Sequence, residues 1–170
     1  DFNAIVIFGV KDGKYYHLES FCKQSKMEEA LIWLAGFIKK RRTTKELHLY
    51  FESQFWNDAV KSTIRDVERR EQVTFNFNQS DKPSGNKYDR ILTLQPYFQK
   101  SEIIFSDADR SSSDAQVGIA QLMGIEPGYK THDDWPDALE GCIKILERHS
   151  VSSGWEEPIY PRSNKSRYRF

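Results

Sequence analysis

The densest group of side chains able to do chemistry is His132-Asp133-Asp134-Trp135-Pro136-Asp137, three carboxylates and an imidazole at the junction of a loop and a predicted helix. Carboxylate oxygens are the ligands that Mg²⁺ and Mn²⁺ prefer, and sites for those cations recruit acids from several elements. The same acids also suit a helix start, where free N–H groups and the helix dipole favour anions, and Asp134 is the N-cap candidate on that reading. A second acid, Glu52, closes the apolar run 47–51 and ends a predicted strand. Side chains at strand ends line the crevice of an open sheet, although a lone glutamate there can simply be solvated. Asp107, Asp109 and Asp114 read as a solvated loop plus a helix start. His17, His48 and His149 have no acidic partner at ligand spacing and receive no role. Trp33 and Trp56 fall on helix faces as core residues, and Trp135 is expected to pack beneath the acidic loop.

These residues need elements to hold them, and the spacing of apolar positions supplies candidates. Residues 4–10 and 14–20 are strand-like runs around Lys11-Asp12-Gly13, which predicts a β-hairpin. Ser25-Lys26-Met27-Glu28 has the form of a capping box, opening a helix with Met27, Leu31, Leu34 and Ile38 on one face. Residues 46–52 predict a strand, 55–71 a helix, 73–77 a strand and 79–86 a loop. A helix is expected over 87–99, disturbed by Pro96, then a short strand at 102–105. Ser113-Asp114-Ala115-Gln116 is a second capping-box pattern, and the last helix is predicted over 135–149. Strands before and between helices predict an α/β fold with a mixed sheet flanked by helices.

A chain of 170 residues fits one domain, with about 70% of the unfolded surface hidden on folding. No apolar run approaches the ~18 residues that would cross a bilayer, and no membrane partner is expected. The opening residues carry no signal-peptide pattern. Cys22 and Cys142 lack metal-ligand spacing and read as reduced thiols. The 25 basic and 25 acidic residues cancel, so bulk charge does not announce a nucleic-acid binder. Basic residues nevertheless gather at Lys39, Lys40, Arg41, Arg42 and Lys45, and at Arg162, Lys165, Arg167 and Arg169 in a Ser-, Gly- and Pro-containing stretch read as a flexible tail over 151–170. Residues 1–150 are the expected folded domain.

Five blocks resemble, in order, the nuclease domain of phage and viral large terminases, a branch of the RNase H-like superfamily. They are Asp1-Phe2-Asn3-Ala4-Ile5-Val6 with Tyr15-Tyr16-His17-Leu18; Tyr50-Phe51-Glu52-Ser53-Gln54-Phe55; Lys87-Tyr88-Asp89-Arg90-Ile91; Leu94-Gln95-Pro96-Tyr97-Phe98 ahead of Ile103-Ile104-Phe105; and His132 to Gly141, HDDWPDALEG. The resemblance covers roughly residues 1–148. It implies an RNase H-like sheet and a Mg²⁺- or Mn²⁺-dependent endonuclease that cuts concatemeric viral DNA through a two-metal site. Carried over by position, Glu52 would be the second metal-binding carboxylate and Asp134, or its neighbour Asp133, the third. His132 and Asp137 would stand beside the site, and Lys87 and Arg90 would contact phosphate. The implied partners are double-stranded DNA, a portal protein, a small terminase subunit and a preceding ATPase domain, all in the host cytoplasm.

In that family the first catalytic aspartate lies on an opening strand several residues before the position that Asp1 matches. The expectation is therefore that this acid is missing, with weak or lost cleavage, or that Asp1 stands in for it. No phosphate-cradling Gly-x-x-x-x-Gly-Lys-Ser/Thr loop occurs, so the motor ATPase is not in this sequence. Two other readings stay open: a non-catalytic module that docks DNA or a portal protein, and another RNase H-like nuclease such as a junction resolvase.

Overall fold

The run Ala4-Ile5-Val6-Ile7-Phe8 is apolar at every position, the pattern of a strand covered on both faces. In the computed structural model, which describes residues 2–40, 47–81 and 83–152, it forms β1 (Asn3–Lys11). The strand pairs antiparallel with β2 (Lys14–Lys23) through Asp12 and Gly13, whose φ angles of 52° and 71° are the double-positive backbone that two-residue hairpin loops favour. The register slips between Ile7 and Phe8, so that Ile7 faces Glu19 while Phe8 faces His17, and Leu18 is the extra residue. A bulge of this kind flips the side-chain alternation of its strand. Tyr15, His17, Ser20 and Cys22 are consequently all buried, while Leu18 and Glu19 are exposed.

β5 (Ile103–Ile104) adds parallel to β2, giving a three-stranded mixed sheet in the order β1-β2-β5. A second, two-stranded parallel sheet joins β3 (Leu49–Glu52) to β4 (Phe77–Ser80). Helices cover two faces. On one, α1 (Met27–Lys40) and α2 (Asp58–Glu71) enclose a core with Ile7, Leu31, Leu34, Ile64, Val67 and Phe75. On the other, α3 (Lys87–Leu92), α5 (Ser113–Met123) and α6 (Asp134–Ser152) close over Tyr15, Cys22, Ile91, Leu94, Trp135, Leu139 and Ile143. β1 feeds both cores, with Ile5 and Ile7 on the first and Ala4, Val6, Phe8 and Val10 on the second. The protein is thus of the mixed α/β class. Among the described residues no helix is long and apolar enough to cross a membrane.

Several elements depart from the sequence expectation, each for a local reason. Residues 73–76 form no strand. α2 ends at Gln72 in the left-handed region (φ 53°), and the Glu68 carboxylate takes the backbone N–H of Phe75 at 2.6 Å, so Phe75 is buried as a loop residue and the strand starts at Phe77. The expected helix over 87–99 is two helices. Pro96 sits in the first turn of α4 (Gln95–Gln99), where its lack of an N–H leaves no bond unmade. The Ser25 hydroxyl donates to the Lys26 carbonyl instead of capping α1. The cap of α5 is Ser112, one residue earlier than expected, and accepts from the Ala115 N–H. Asp133 rather than Asp134 precedes α6, its carbonyl accepting the Asp137 N–H at 3.0 Å. The basic residues 41–45, Asp1 and the tail from 153 lie outside the described residues.

α5 and α6 meet at Gly118 and Trp135. A Cβ on Gly118 would stand 2.4 Å from the Trp135 indole, which has no exposed surface. Gly118→Ala is therefore expected to lower stability by about 1–3 kcal/mol through overpacking, measured by urea unfolding. An unchanged midpoint would contradict the packing described.

Candidate functional site

The amino end of α6 is held by Trp135. Its indole N–H donates to the Ser20 hydroxyl at 2.9 Å, and its backbone N–H donates to the Gln121 side-chain carbonyl at 3.0 Å. Ser20 is in turn 2.6 Å from His17 Nε2, and His17 Nδ1 lies 3.1 Å from the Asp109 carboxylate. Asp109 also accepts the backbone N–H and hydroxyl of Ser106. Burial opposes ionisation of Asp109, but these hydrogen bonds and His17 outweigh it and hold the carboxyl below its ordinary range. Asp109 and Asp114 are both buried, so the expected solvated loop is instead a polar clamp inside the fold, and His17 has the acidic partner that spacing did not reveal.

With Trp135 fixed, the acids of 132–140 take distinct partners. Asp133 pairs with Lys87 Nζ at 2.8 Å and accepts a short hydrogen bond from the Tyr129 hydroxyl. Burial works against the charged form of Asp133, yet Lys87 and Tyr129 lower its pKa overall. Desolvation likewise works against the Lys87 ammonium, and the Asp133 and Asp137 carboxylates reverse that and raise its pKa. Asp137 lies 3.2 Å from Lys87 and 2.7 Å from Arg90. Arg90 also reaches Glu140 at 2.8 Å, and Glu140, 2% exposed, is paired with Lys144 as well. Lys87 and Arg90 therefore bind α3 to α6 through carboxylates. Lys87 is the more accessible of the two, with 38% of its side chain exposed against 12% for Arg90.

Asp134 and Glu52 are placed differently. Asp134 is partly exposed, and the His132 ring nitrogen lies 4.0 Å from its carboxylate. The His132 ring packs edge-on against Phe2, with centroids 4.7 Å apart. Glu52 ends β3 and accepts from the Gln54 side-chain amide at 2.6 Å. A groove of about 1760 Å³ runs between β1 and β3, and Glu52, Lys87, Arg90, Asp134, Asp137 and Glu140 all border it. The strand-end acid and the acids at the start of α6 thus line one groove. His48 and His149 stand elsewhere along it, stacked at 5.8 Å, with His149 Nε2 2.7 Å from the Tyr50 hydroxyl.

A hard divalent cation needs several oxygen donors at one point. Glu52 and Asp134 are carboxylates left without a lysine or arginine partner among the described residues, whereas Asp133 and Asp137 are already neutralised by Lys87 and Arg90. No group of three His, Cys, Asp or Glu able to hold a metal ion gathers among the described residues, and Asp1 is not one of them. Glu52, Asp81 and Asp134 all border the groove as carboxylate donors without a lysine or arginine pair among the described residues. Burial pushes both Cys22 and Cys142 up to about 12, which keeps them as thiols at neutral pH in the metal-free protein. Compared with protein-family models and with curated proteins, the sequence matches none.

Two outcomes follow from this geometry. Removing Arg90 leaves the buried Glu140 carboxylate with Lys144 alone and takes one cation from Asp137, so Arg90→Ala is expected to cost about 3 kcal/mol by chemical denaturation. Replacing Arg90 and Glu140 together with leucine and methionine should cost less, and equal losses would contradict the pairing. Asp109 and Asp133, held low in the folded state, stabilise the fold above the unfolded carboxylate pKa of about 3.9 and lose that contribution as pH falls through their folded values. Thermal midpoints should therefore drop more steeply on acidification in the wild type than in Asp109→Asn or Asp133→Asn. Parallel pH profiles would contradict the assignment.

Proposed function

We propose that the chain is a DNA-cutting domain, the nuclease half of a viral genome-packaging terminase, on an RNase H-like fold. One observation carries the reading: Glu52 and Asp134, the acids that the sequence resemblance pairs, border a single groove with Lys87 beside it. The mixed α/β architecture, with helices on two faces, agrees with that fold class. The substrate is double-stranded DNA, and the packaging partners are a portal protein, a small terminase subunit and an ATPase domain, in the cytoplasm of an infected host.

Phosphodiester hydrolysis needs an attacking water and a stabilised leaving oxygen. A divalent cation held by Glu52 and Asp134 would supply the Lewis acid for both. The chain's own residues do the rest. Glu52 and Asp134 set the negative charge of the groove, and His132 beside Asp134 is placed to orient a water or take up a proton. Lys87 can exchange its carboxylate partners for a DNA phosphate, which positions the backbone without reading sequence. Arg90, locked between Asp137 and Glu140, keeps α3 and hence Lys87 in place.

Glu52→Ala and Asp134→Ala should each abolish Mn²⁺-dependent nicking of supercoiled plasmid while far-UV circular dichroism stays unchanged. Wild-type rates in both variants would remove this mechanism. DNA binding retained by a wild-type chain that never cuts would favour a docking module instead.

A further inference from the structure

The edge of β2 turned away from β1 is paired by β5 at Tyr15 and Tyr16, and from His17 to Lys23 it has no strand beside it among the described residues. The bulge at Leu18 leaves that residue half exposed. Backbone N–H and C=O groups alternate between the two edges of an antiparallel strand. The Cys22 N–H turns to the Asp114 carboxylate rather than to β1, so Ser20, two residues back, faces the same open side. A cavity of about 450 Å³ lies against this edge, walled by Leu18, Trp33, Ala108 and the amino end of α5. None of the acids that border the groove borders this cavity.

Its carboxylates are short of donors. Asp114 is 8% exposed, and a carboxylate at that depth is stabilised by hydrogen bonds of normal length. Its contacts are the Ser113 hydroxyl at 3.2 Å, the Cys22 N–H at 3.4 Å and Lys23 Nζ at 3.6 Å. Each is longer than the ~2.7–2.9 Å of a charge-assisted bond. Glu19 stands exposed on the same wall, with no lysine or arginine paired to it among the described residues. Asp109, the third acid of the wall, is already committed to Ser106 and His17. Against Asp114 and Glu19 the wall sets Lys23, which is half exposed. The cavity therefore favours a further cation.

We propose that it receives an arginine side chain from an extended segment of a partner protein, whose backbone pairs with Ser20 at the open edge of β2. A guanidinium is a planar fork that meets both oxygens of a carboxylate, and its face and stem pack on an indole such as Trp33. Lys23 cannot fill this role itself, because it reaches Asp114 only at 3.6 Å and also lies over the Phe21 ring, 5.4 Å from the centroid. It swings outward as the guanidinium enters. Strand addition supplies the main-chain bonds, and every second side chain of the added segment then faces the pocket. The proposal does not depend on whether the groove cuts DNA.

The test titrates residues 1–170 with a fluorescein-labelled Thr-Val-Arg-Val-Thr peptide, followed by anisotropy and by backbone amide shifts. Two matched peptides carry citrulline in place of arginine, which keeps the shape without the charge, or N-methyl groups on the valine amides, which remove the strand donors. The arginine peptide is expected to bind saturably and to move the Ser20 and Cys22 amides, and both matched peptides to bind at least about tenfold more weakly. Glu19→Gln should weaken binding several-fold and Lys23→Gln should strengthen it. Glu126→Gln, an equal change of charge beyond the far end of α5, should leave it unchanged. Absence of binding, equal binding of the citrulline or N-methylated peptide, equal effects of Glu19→Gln and Glu126→Gln, or shifts centred away from β2 would each overturn the proposal. Argininamide bound as tightly as the peptide would overturn it in favour of a small-molecule site.

Discussion

Everything near the groove depends on where Trp135 sits. Trp135 is wholly buried, its indole N–H held by Ser20 on β2, its backbone N–H by Gln121 on α5, and its ring packed where Gly118 has no side chain. A bulky ring with a polar N–H gains most when its apolar body is packed and its donor is satisfied, and both conditions hold here. The residues on either side of Trp135 are Asp134 and Pro136, so the same contact that closes the α6 core also fixes the azimuth at which the acids leave the helix. The Ser20–His17–Asp109 chain behind the indole makes the anchor polar as well as apolar. Such a network rigidifies only when each member is satisfied, and Asp109 meets that condition with Ser106 on its other oxygen.

Electrostatics then sorts the acids into two kinds. Asp133, Asp137 and Glu140 are consumed in binding α3 to α6 through Lys87 and Arg90, and the depth of Glu140 makes that arrangement costly to disturb. Asp134 has the His132 ring beside it, and Glu52 borders the same groove from the other sheet. Adjacent residues with the same carboxylate thus hold opposite jobs, because a helix turns by about 100° per residue. Asp133 is paired with Lys87, and Asp134 borders the groove.

Much of this was legible from residue order, and the remainder failed for identifiable reasons. The hairpin at Asp12-Gly13 and the helical faces of Leu31, Leu34, Ile64 and Val67 follow from local periodicity. Glu52 and Asp134 were paired by the sequence resemblance, and both border one groove. The bulge at Leu18 has no local signature. A strict period of two puts His17 and Ser20 on opposite faces, and the extra residue brings them together. Asp109 looked like a loop acid because its partner is distant in sequence. Phe75 looked like a strand residue because its apolar character reports burial, and burial came from α2 rather than from a sheet. The pairing of Arg90 with Glu140 required knowing that α3 crosses α6, which no spacing within either helix encodes.

The two half-sheets and the groove between them give these pieces a common geometry. β1 and β3 flank the groove, α6 carries Asp134 along it, and Lys87 on α3 stands at its rim. The central claim is that Glu52 and Asp134 act at one point in that groove. Titrating Mn²⁺ into the protein and following paramagnetic broadening of backbone amide signals tests it directly. The account predicts that the Glu52 and Asp134 signals broaden over the same concentration range, and that Glu52→Gln removes the effect at Asp134. Broadening at Asp134 that is indifferent to Glu52 would contradict it.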